Sequence, residues 1–258
     1  MKRKKRIGTA AKAVGCAVLL MISLFPIYWL LAMAIRPADE MRGHSALIPQ
    51  SLTGMHFAQL FTSENFGQAI MNSLQTTFGS LIISLLAGIC AAYVIARRRF
   101  RFGLKKPMTY WVLLVRVLPP VAFTIPLYIM FNRLGVLNTK LPVMLACVLI
   151  NVPLIIWFLI SFFQDLPEEI EESAKVDGAT EWQLFCKIVL PLVAPGIAAV
   201  SMLSFMYAWN EYTYTVIFTR IPANNTVPLA LALLNTEDNL TNFGLVAAGG
   251  VISVIPIT

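Results

Sequence analysis

The residues of this chain that could do chemistry are few and fall into two groups. Isolated charges interrupt apolar runs at Arg116, in VLLVRVLPP, and at Glu211, in YAWNEYTY. A dense acidic segment, EESAKVDGATEWQLFCKIVLP, begins at Glu171 and ends at Pro191. The 258 residues are otherwise 58% hydrophobic and only 13% charged, which is far from the composition of a soluble domain. The chain is therefore predicted to lie in a bilayer, with each isolated charge facing protein or water.

The sequence lacks the motifs by which common enzymes and metal sites are recognised. It contains no G-x-x-x-x-G-K-[ST] phosphate loop, no H-E-x-x-H pair and no G-x-S-x-G turn. His44 and His56 have no further ligand candidates beside them, and the four cysteines show no C-x-x-C spacing. We therefore predict a non-catalytic chain that holds no cofactor or metal and does not hydrolyse ATP by itself.

Uncharged apolar runs recur along the chain at the length needed to cross a bilayer. About 20 helical residues cross roughly 30 Å of hydrocarbon, so these runs predict an all-α bundle of six transmembrane helices in one domain, residues 1–258. The sixth run stops at Thr258 with no basic anchor beyond it, which is compatible with a natural chain that continues past this residue. The predicted spans are about 13–35, 69–96, 107–131, 141–163, 192–217 and 241–258.

Lysine and arginine are distributed unequally between the predicted loops. With the N-terminus in the cytoplasm, six precede the first span, six lie between the second and third, and two lie between the fourth and fifth. These fourteen compare with five in the external loops, and such an excess marks the cytoplasmic side. Because topology explains the net charge of +7, we expect contact with the lipid bilayer and none with nucleic acid.

The acidic segment has the local signals of two short helices joined at a sharp bend. Pro167 lies in a first turn, and four glutamates cluster at the positive N-terminal end of the helix that begins there. Gly178 ends this helix, and Thr180 with Gln183 forms a capping box that opens a second one. We call this cytoplasmic unit, at about residues 165–191, the elbow. An apolar ridge is predicted on its second helix from Trp182, Phe185, Ile188 and Val189.

Arg116 and Glu211 have two possible roles on this layout. Counting about 1.5 Å per residue from the cytoplasmic helix ends places Arg116 near mid-membrane and Glu211 about 15 Å further out, so a direct salt bridge is not expected. Each charge could be held by hydrogen bonds inside the bundle. Alternatively, both could line the ion path of a six-span secondary transporter or channel.

The elbow also carries a resemblance to a known family. Glu172-Ser173-Ala174, three residues, Gly178, nine residues and then Ile188-Val189-Leu190-Pro191 are similar to the E-A-A-x-x-x-G-x9-I-x-L-P signature of ABC importer permeases, with serine in place of one alanine. Asp177-Gly178-Ala179 resembles the D-G-A of the carbohydrate branch of that family. FMYAWNEYTYTVIF is similar to the W-N-E-[FY] fifth span of the same branch. The chain as a whole resembles the smaller six-span permease of the maltose-type importers.

The resemblance implies a division of labour among several subunits. In such importers two different permeases, two cytoplasmic ATPases and an extracytoplasmic solute-binding protein act together in a bacterial-type inner membrane. This chain would then be a multi-pass subunit with a cytoplasmic N-terminus that forms half of the pathway for a sugar or related small polar solute. The part of its elbow that covers residues 171–191 would dock into a groove on one ATPase.

The resemblance also assigns roles to particular residues. Glu172 is expected to contact or orient the ATPase. The other expected ATPase-coupling residues shape the elbow and are Ser173, Ala174, Asp177, Gly178 and Ala179. Polar or aromatic residues expected to line the translocation pathway are Asn151, Asn210, Glu211, Tyr212 and Arg116.

Overall fold

A computed structural model of the protein describes residues 2–41, 47–97, 105–234 and 241–258. Every regular element in these ranges is helical, which confirms the predicted all-α class for the described part of the chain. The chain forms two compact units, Met1–Gly67 with Ala230–Thr258 and Gln68–Leu229. The helices are α1 (Lys2–Ala34), α2 (Ala38–Met41), α3 (Met55–Thr62), α4 (Phe66–Arg97), α5 (Lys105–Val117), α6 (Val121–Arg133), α7 (Leu141–Gln164), α8 (Glu168–Val176), α9 (Glu181–Gln183), a π-helix (Leu184–Val189), α10 (Leu190–Trp209), α11 (Thr213–Phe218), α12 (Val227–Leu233) and α13 (Thr241–Val254).

Four helical segments in the described ranges are long and apolar enough to cross a bilayer. They are Lys12–Ala34 of α1, the whole of α4, the whole of α7 and the run Glu181–Trp209. A shorter apolar helix covers Phe243–Ile257. The grouping of six spans into one transmembrane domain stays a prediction.

The third predicted span, at about 107–131, consists of two helices instead of one. α5 and α6 are separated by a short link that contains Pro119 and Pro120. Proline has no N–H to donate and disfavours helical geometry in the residue before it, so two consecutive prolines stop α5. The next helix starts at once, because the amide of Ala122 donates to the carbonyl oxygen of Pro119 at 2.9 Å.

The fifth predicted span, at about 192–217, begins and ends earlier than expected. One helical run, Glu181–Trp209, continues from the second arm of the elbow through the π-helix into α10. Pro191, the second residue of α10, has no N–H to donate, yet it does not separate the arm from the span. The π-helix directly before it takes up the change in hydrogen-bond spacing. After Trp209 the run stops, and α11 follows as a separate short helix.

The long helices of the 68–229 unit approach one another closely at glycines. A Cβ atom at Gly88 of α4 would lie 2.6 Å from Cγ2 of Ile155 on α7. A Cβ atom at Gly196 of α10 would lie 2.6 Å from the ring of Phe162, also on α7. Small residues at such contacts allow helices to pack in lipid, where the hydrophobic effect does not drive them together.

The other unit contains α1, α3 and α13. His56 of α3 is fully buried, and its ring occupies the space that a Cβ atom at Gly244 of α13 would need. Nε2 of His56 lies 2.9 Å from the carbonyl oxygen of Arg36, so this imidazole serves the packing of its own unit. His44 lies outside the described residues. Within the described ranges, no group of three or more His, Cys, Asp or Glu residues is placed to hold a metal ion.

Replacing Gly88 by leucine is expected to destabilise the 68–229 unit. The new side chain would overlap Ile155, and over-packing of this kind typically costs about 1–3 kcal/mol. The measurement is the apparent melting temperature of the purified protein in detergent. Gly15→Leu is the matched control, because nothing lies within 4 Å of a Cβ atom built at Gly15. Equal melting temperatures for the two variants would contradict the contact between α4 and α7 at Gly88.

Candidate functional site

The first arm of the elbow is α8, a helix whose charges oppose its dipole at both ends. Three glutamates occupy its first turn and Lys175 its last turn, so each end carries the stabilising sign of charge. Pro167 stands at the N-cap position and contributes no side-chain cap, while Asp165 belongs to the end of α7. Electrostatics and not a capping side chain therefore supports the start of this arm.

The bend of the elbow is a Schellman motif centred on Gly178. The amide of Ala179 donates to the carbonyl oxygen of Ala174 at 3.0 Å, and the amide of Gly178 donates to that of Lys175 at 3.1 Å. Gly178 has φ +83°, a left-handed conformation that glycine adopts without the penalty a side chain brings. The predicted break at this residue is present, and its cause is local backbone geometry.

The second arm opens with the predicted capping box. The amide of Gln183 donates to Oγ1 of Thr180 at 3.3 Å, and the amide of Thr180 donates to Oε1 of Gln183 at 3.0 Å. Because Gly178 and Thr180 are only two residues apart, the chain ends one helix and starts the next within a single turn. The result is an elbow whose angle is fixed at both sides of the bend.

The predicted coupling residues lie together on this elbow but on different surfaces. Glu172 and Gly178 are exposed, whereas Ala174 is buried against the cluster that contains Leu184 and Val189 of the second arm. The small face of α8 therefore packs within the elbow itself. A concave pocket with a volume of about 490 Å³ lies beside this face of α8. Its lining residues are Glu169, Ile170, Ser173, Ala174, Asp177, Ala179 and Ile188.

The apolar ridge predicted for the second arm is divided between two surfaces. Phe185 and Val189 are buried, but Trp182 is 71% exposed, and Val176 of the first arm is 87% exposed. Periodicity alone finds apolar positions and does not say which of them the fold covers. Trp182 and Val176 thus form an exposed apolar surface on the elbow.

Three of the predicted pathway residues lie at one cavity, beside the interruption between α10 and α11. Asn210, Glu211 and Tyr212 form the link between these helices. The cavity has a volume of about 480 Å³, and its other lining residues are Pro120, Leu203, Met206, Tyr207, Thr213 and Tyr214. Aromatic walls with a few polar groups are typical of sites for small molecules.

Glu211 is held by the start of α11. Its carboxylate accepts hydrogen bonds from the amide of Tyr214 at 2.7 Å, from the amide of Thr215 at 3.1 Å and from Oγ1 of Thr215 at 3.1 Å. Glu211 is only 8% exposed, and the three hydrogen-bond donors offset the cost of removing its carboxylate from water. This geometry agrees with the first of the two roles considered for Glu211, a charge held by hydrogen bonds within the bundle.

Asn151, the fourth pathway candidate, does not line this cavity. Asn151 of α7 is fully buried and donates through Nδ2 to the carbonyl oxygen of Ser204 at 3.3 Å, which joins α7 to α10. Its Oδ1 atom has no hydrogen-bond partner. Arg116 belongs to α5, but its side chain lies outside the described residues.

Bilayer-length helices, a cavity between interrupted helices and a polar elbow together define a helical membrane permease. The chain belongs to the family of binding-protein-dependent transport system inner membrane components, whose model matches residues 84–258. It is accordingly a non-catalytic inner-membrane subunit of an importer that works with a binding protein.

Curated relatives match almost the whole chain. The trehalose transport system permease protein SugB of Mycobacterium tuberculosis is 30% identical over 91% of this chain and 85% of its own length. The diacetylchitobiose uptake system permease protein DasC of Streptomyces coelicolor is 31% identical over 93% and 87%, respectively. The arabinooligosaccharides transport system permease protein AraQ of Halalkalibacterium halodurans is 31% identical over 100% and 92%.

A solved structure supports the fold. A chain of a bacterial ABC transporter involved in the import of the acidic polysaccharide alginate superposes with a TM-score of 0.82, covering 99% of this chain and 94% of that one. A second alginate transporter structure, in complex with an alginate pentasaccharide-bound periplasmic protein, gives a TM-score of 0.73. Sequence identities of 21% and 18% limit this likeness to the fold.

Removing the carboxylate of Glu211 is expected to destabilise the fold. Glu211→Ala leaves two buried backbone amides without an acceptor, at a cost of about 1–3 kcal/mol in the free energy of unfolding, and Glu211→Gln keeps one acceptor and should cost less. The measurement is the apparent melting temperature in detergent, with Glu64→Ala as an exposed control. Unchanged stability together with uptake that no longer responds to a proton gradient would instead favour the ion-path role.

Proposed function

We propose that this chain is one of two permease subunits of an ATP-driven importer for a sugar or small oligosaccharide, and that it couples to a cytoplasmic ATPase through the elbow. The elbow is the observation that carries the proposal. It combines the signature residues from Glu172 to Pro191 with an exposed, acidic first arm and an exposed tryptophan. Exposed apolar residues on a charged surface are typical of contact with a partner.

The elbow is built to transmit force in both directions. Its first arm follows α7 after a short link, and its second arm is continuous with α10. A partner that holds the elbow therefore holds the ends of two long helices, and movement of one must move the other. Closure of an ATPase dimer would rock these helices as rigid bodies, which is the kind of motion that alternates access to a site between them.

The remaining partners and the orientation follow from the same proposal. The family works with a binding protein, and we assign an extracytoplasmic solute-binding protein, a second and different permease and two ATPases to the assembly. The excess of lysine and arginine before the first span and between the second and third spans supports a cytoplasmic N-terminus and, by alternation of the spans, a cytoplasmic elbow.

The proposed solute class rests on the relatives and on the cavity beside α11. The relatives are permease proteins of transport or uptake systems for trehalose, diacetylchitobiose and arabinooligosaccharides. The cavity offers the rings of Tyr207 and Tyr212 together with the amide of Asn210, which suits a solute with apolar ring faces and many hydroxyl groups. Glu211 is occupied by backbone amides, so the ion-coupled carrier is the weaker alternative.

Changing the elbow is expected to uncouple transport from ATP hydrolysis. Glu172→Ala removes an exposed charge from the proposed ATPase contact, and Gly178→Ala forces a side chain into left-handed geometry at about 1–2 kcal/mol. We expect both variants to lose ATPase association and sugar uptake by at least about fivefold. The measurements are co-purification of the ATPase and uptake of labelled sugar.

The control for this test lies in the same helix. Glu168→Ala removes the same kind of side chain from the first turn of α8, where it is exposed and stands outside the signature. This variant should bind the ATPase and transport sugar normally. Normal coupling in both the Glu172 and Gly178 variants would refute the proposed role of the elbow.

Changing the cavity is expected to alter affinity for the solute and leave coupling intact. Tyr212→Ala removes an aromatic wall and should raise the KM for uptake by about tenfold, which corresponds to about 1.4 kcal/mol of binding free energy. Uptake kinetics with a panel of labelled disaccharides provide the measurement. Tyr110→Ala on α5 is the matched control, since that tyrosine is exposed and does not line the cavity. An unchanged KM in both variants would remove Tyr212 from the pathway.

A further inference from the structure

The cytoplasmic end of α4 is attached to the elbow by one arginine. Nε of Arg97, the last residue of α4, lies 2.9 Å from Oε1 of Glu171 on α8. Nη2 of the same guanidinium donates to the carbonyl oxygen of Leu166 at 2.7 Å, in the link between α7 and α8. One side chain thus connects α4 with both the link and the first arm of the elbow.

A tyrosine one turn earlier in α4 connects it to the other arm. The ring of Tyr93 lies 4.8 Å from that of Phe185, in the π-helix of the second arm, and 5.5 Å from that of Phe163 on α7. Its hydroxyl group lies 3.5 Å from Oε2 of Glu171, at the long end of hydrogen-bond distance. Phe163 and Phe185 are both buried, so these ring contacts are part of a packed core.

The ion pair between Arg97 and Glu171 differs from an ordinary surface salt bridge. The two side chains are only 8% and 14% exposed, so water screens their attraction weakly. Neither Nε nor Oε1 makes a hydrogen bond of good angle, which leaves opposite charge at close range as the main attraction between them. The elbow contains a second pair, Lys175 with Glu181 at 3.1 Å, whose side chains are 49% and 70% exposed. Only the first pair is enclosed enough to fix two helices relative to each other.

We propose that Arg97 and Tyr93 are positioning residues that fasten the cytoplasmic end of α4 to the elbow, so that α4 moves with the elbow when the ATPase acts. This inference rests on the proposed function of the elbow. α7 and α10 follow the elbow because the chain connects them to it almost directly. α4 has no such covalent link, and the Arg97–Glu171 pair with the Tyr93 ring contacts takes its place. The elbow then drives three long helices of the 68–229 unit instead of two.

The test measures coupling and not activity alone. The complete transporter is reconstituted in proteoliposomes, and labelled sugar taken up per ATP hydrolysed is determined for Arg97→Gln, Glu171→Gln and the double variant. We expect each single variant to assemble with the ATPase and to lose at least about fivefold in sugar moved per ATP. The double variant should be no worse than either single one, because removing both charges leaves neither unpaired.

Two further variants separate the ion pair from the ring contacts. Tyr93→Phe keeps the ring contacts with Phe163 and Phe185 and should retain the wild-type ratio of sugar to ATP. Tyr93→Ala removes these contacts and should lower the ratio, as Arg97→Gln does. Arg133→Gln removes an exposed charge at the end of α6, outside the elbow, and is expected to leave the ratio unchanged. If Arg97→Gln does not assemble with the ATPase, the Glu171→Gln variant provides the test, because in that variant Arg97 keeps its hydrogen bond to the carbonyl oxygen of Leu166.

The outcomes also separate this inference from the proposed function. Loss of coupling in the Glu172 variant with a normal ratio in the Arg97, Glu171 and Tyr93 variants would overturn the fastening of α4 and leave ATPase docking intact. Normal ATPase association and uptake in the Glu172 and Gly178 variants as well would overturn the elbow as the coupling element. Equal losses in uptake and ATP hydrolysis, with the ratio preserved, would show that Arg97 only supports folding and would likewise overturn the proposal.

Discussion

Every backbone N–H and C=O inside a bilayer must find a partner within the protein, and this constraint governs where the chain of this permease can bend. A helix satisfies it automatically, and long helices dominate the described ranges. The informative places are the two interruptions, at Pro119–Pro120 and at Asn210–Tyr212. Each leaves polar backbone groups that a helix would have paired, and each must be compensated by specific side chains.

The two interruptions compensate each other. Oη of Tyr214, in the first turn of α11, donates to the carbonyl oxygen of Pro120 at 3.0 Å. The carboxylate of Glu211 meanwhile accepts from the amides at the start of α11. The cavity of about 480 Å³ lies where these breaks meet, and irregular backbone at membrane depth is tolerated where it lines a cavity of this kind. The hydrogen bonds that pair the polar groups at these breaks therefore also shape the candidate solute site.

Signals that act within one turn of the chain could be predicted from the sequence, and signals that depend on distant contacts could not. The glycine bend at Gly178 and the capping box at Thr180 follow from residue types a few positions apart. The sequence did not predict that the second arm continues into α10. Proline usually ends a helix, and no local sequence signal predicts the π-helix before Pro191. The exposure of Trp182 was missed for a different reason, since which apolar face is covered depends on the tertiary fold.

Two adjacent glutamates of the elbow show what residue type alone cannot predict. Glu171 and Glu172 look equivalent in the sequence, as members of one acidic cluster near the N-terminus of α8. Successive helical residues point about 100° apart, so the two side chains can face different surroundings. Glu171 is the inward one, because Arg97 supplies the charge that makes its partial burial tolerable. Glu172 beside it is exposed, so the proposed docking surface and the internal attachment are two faces of one short helix.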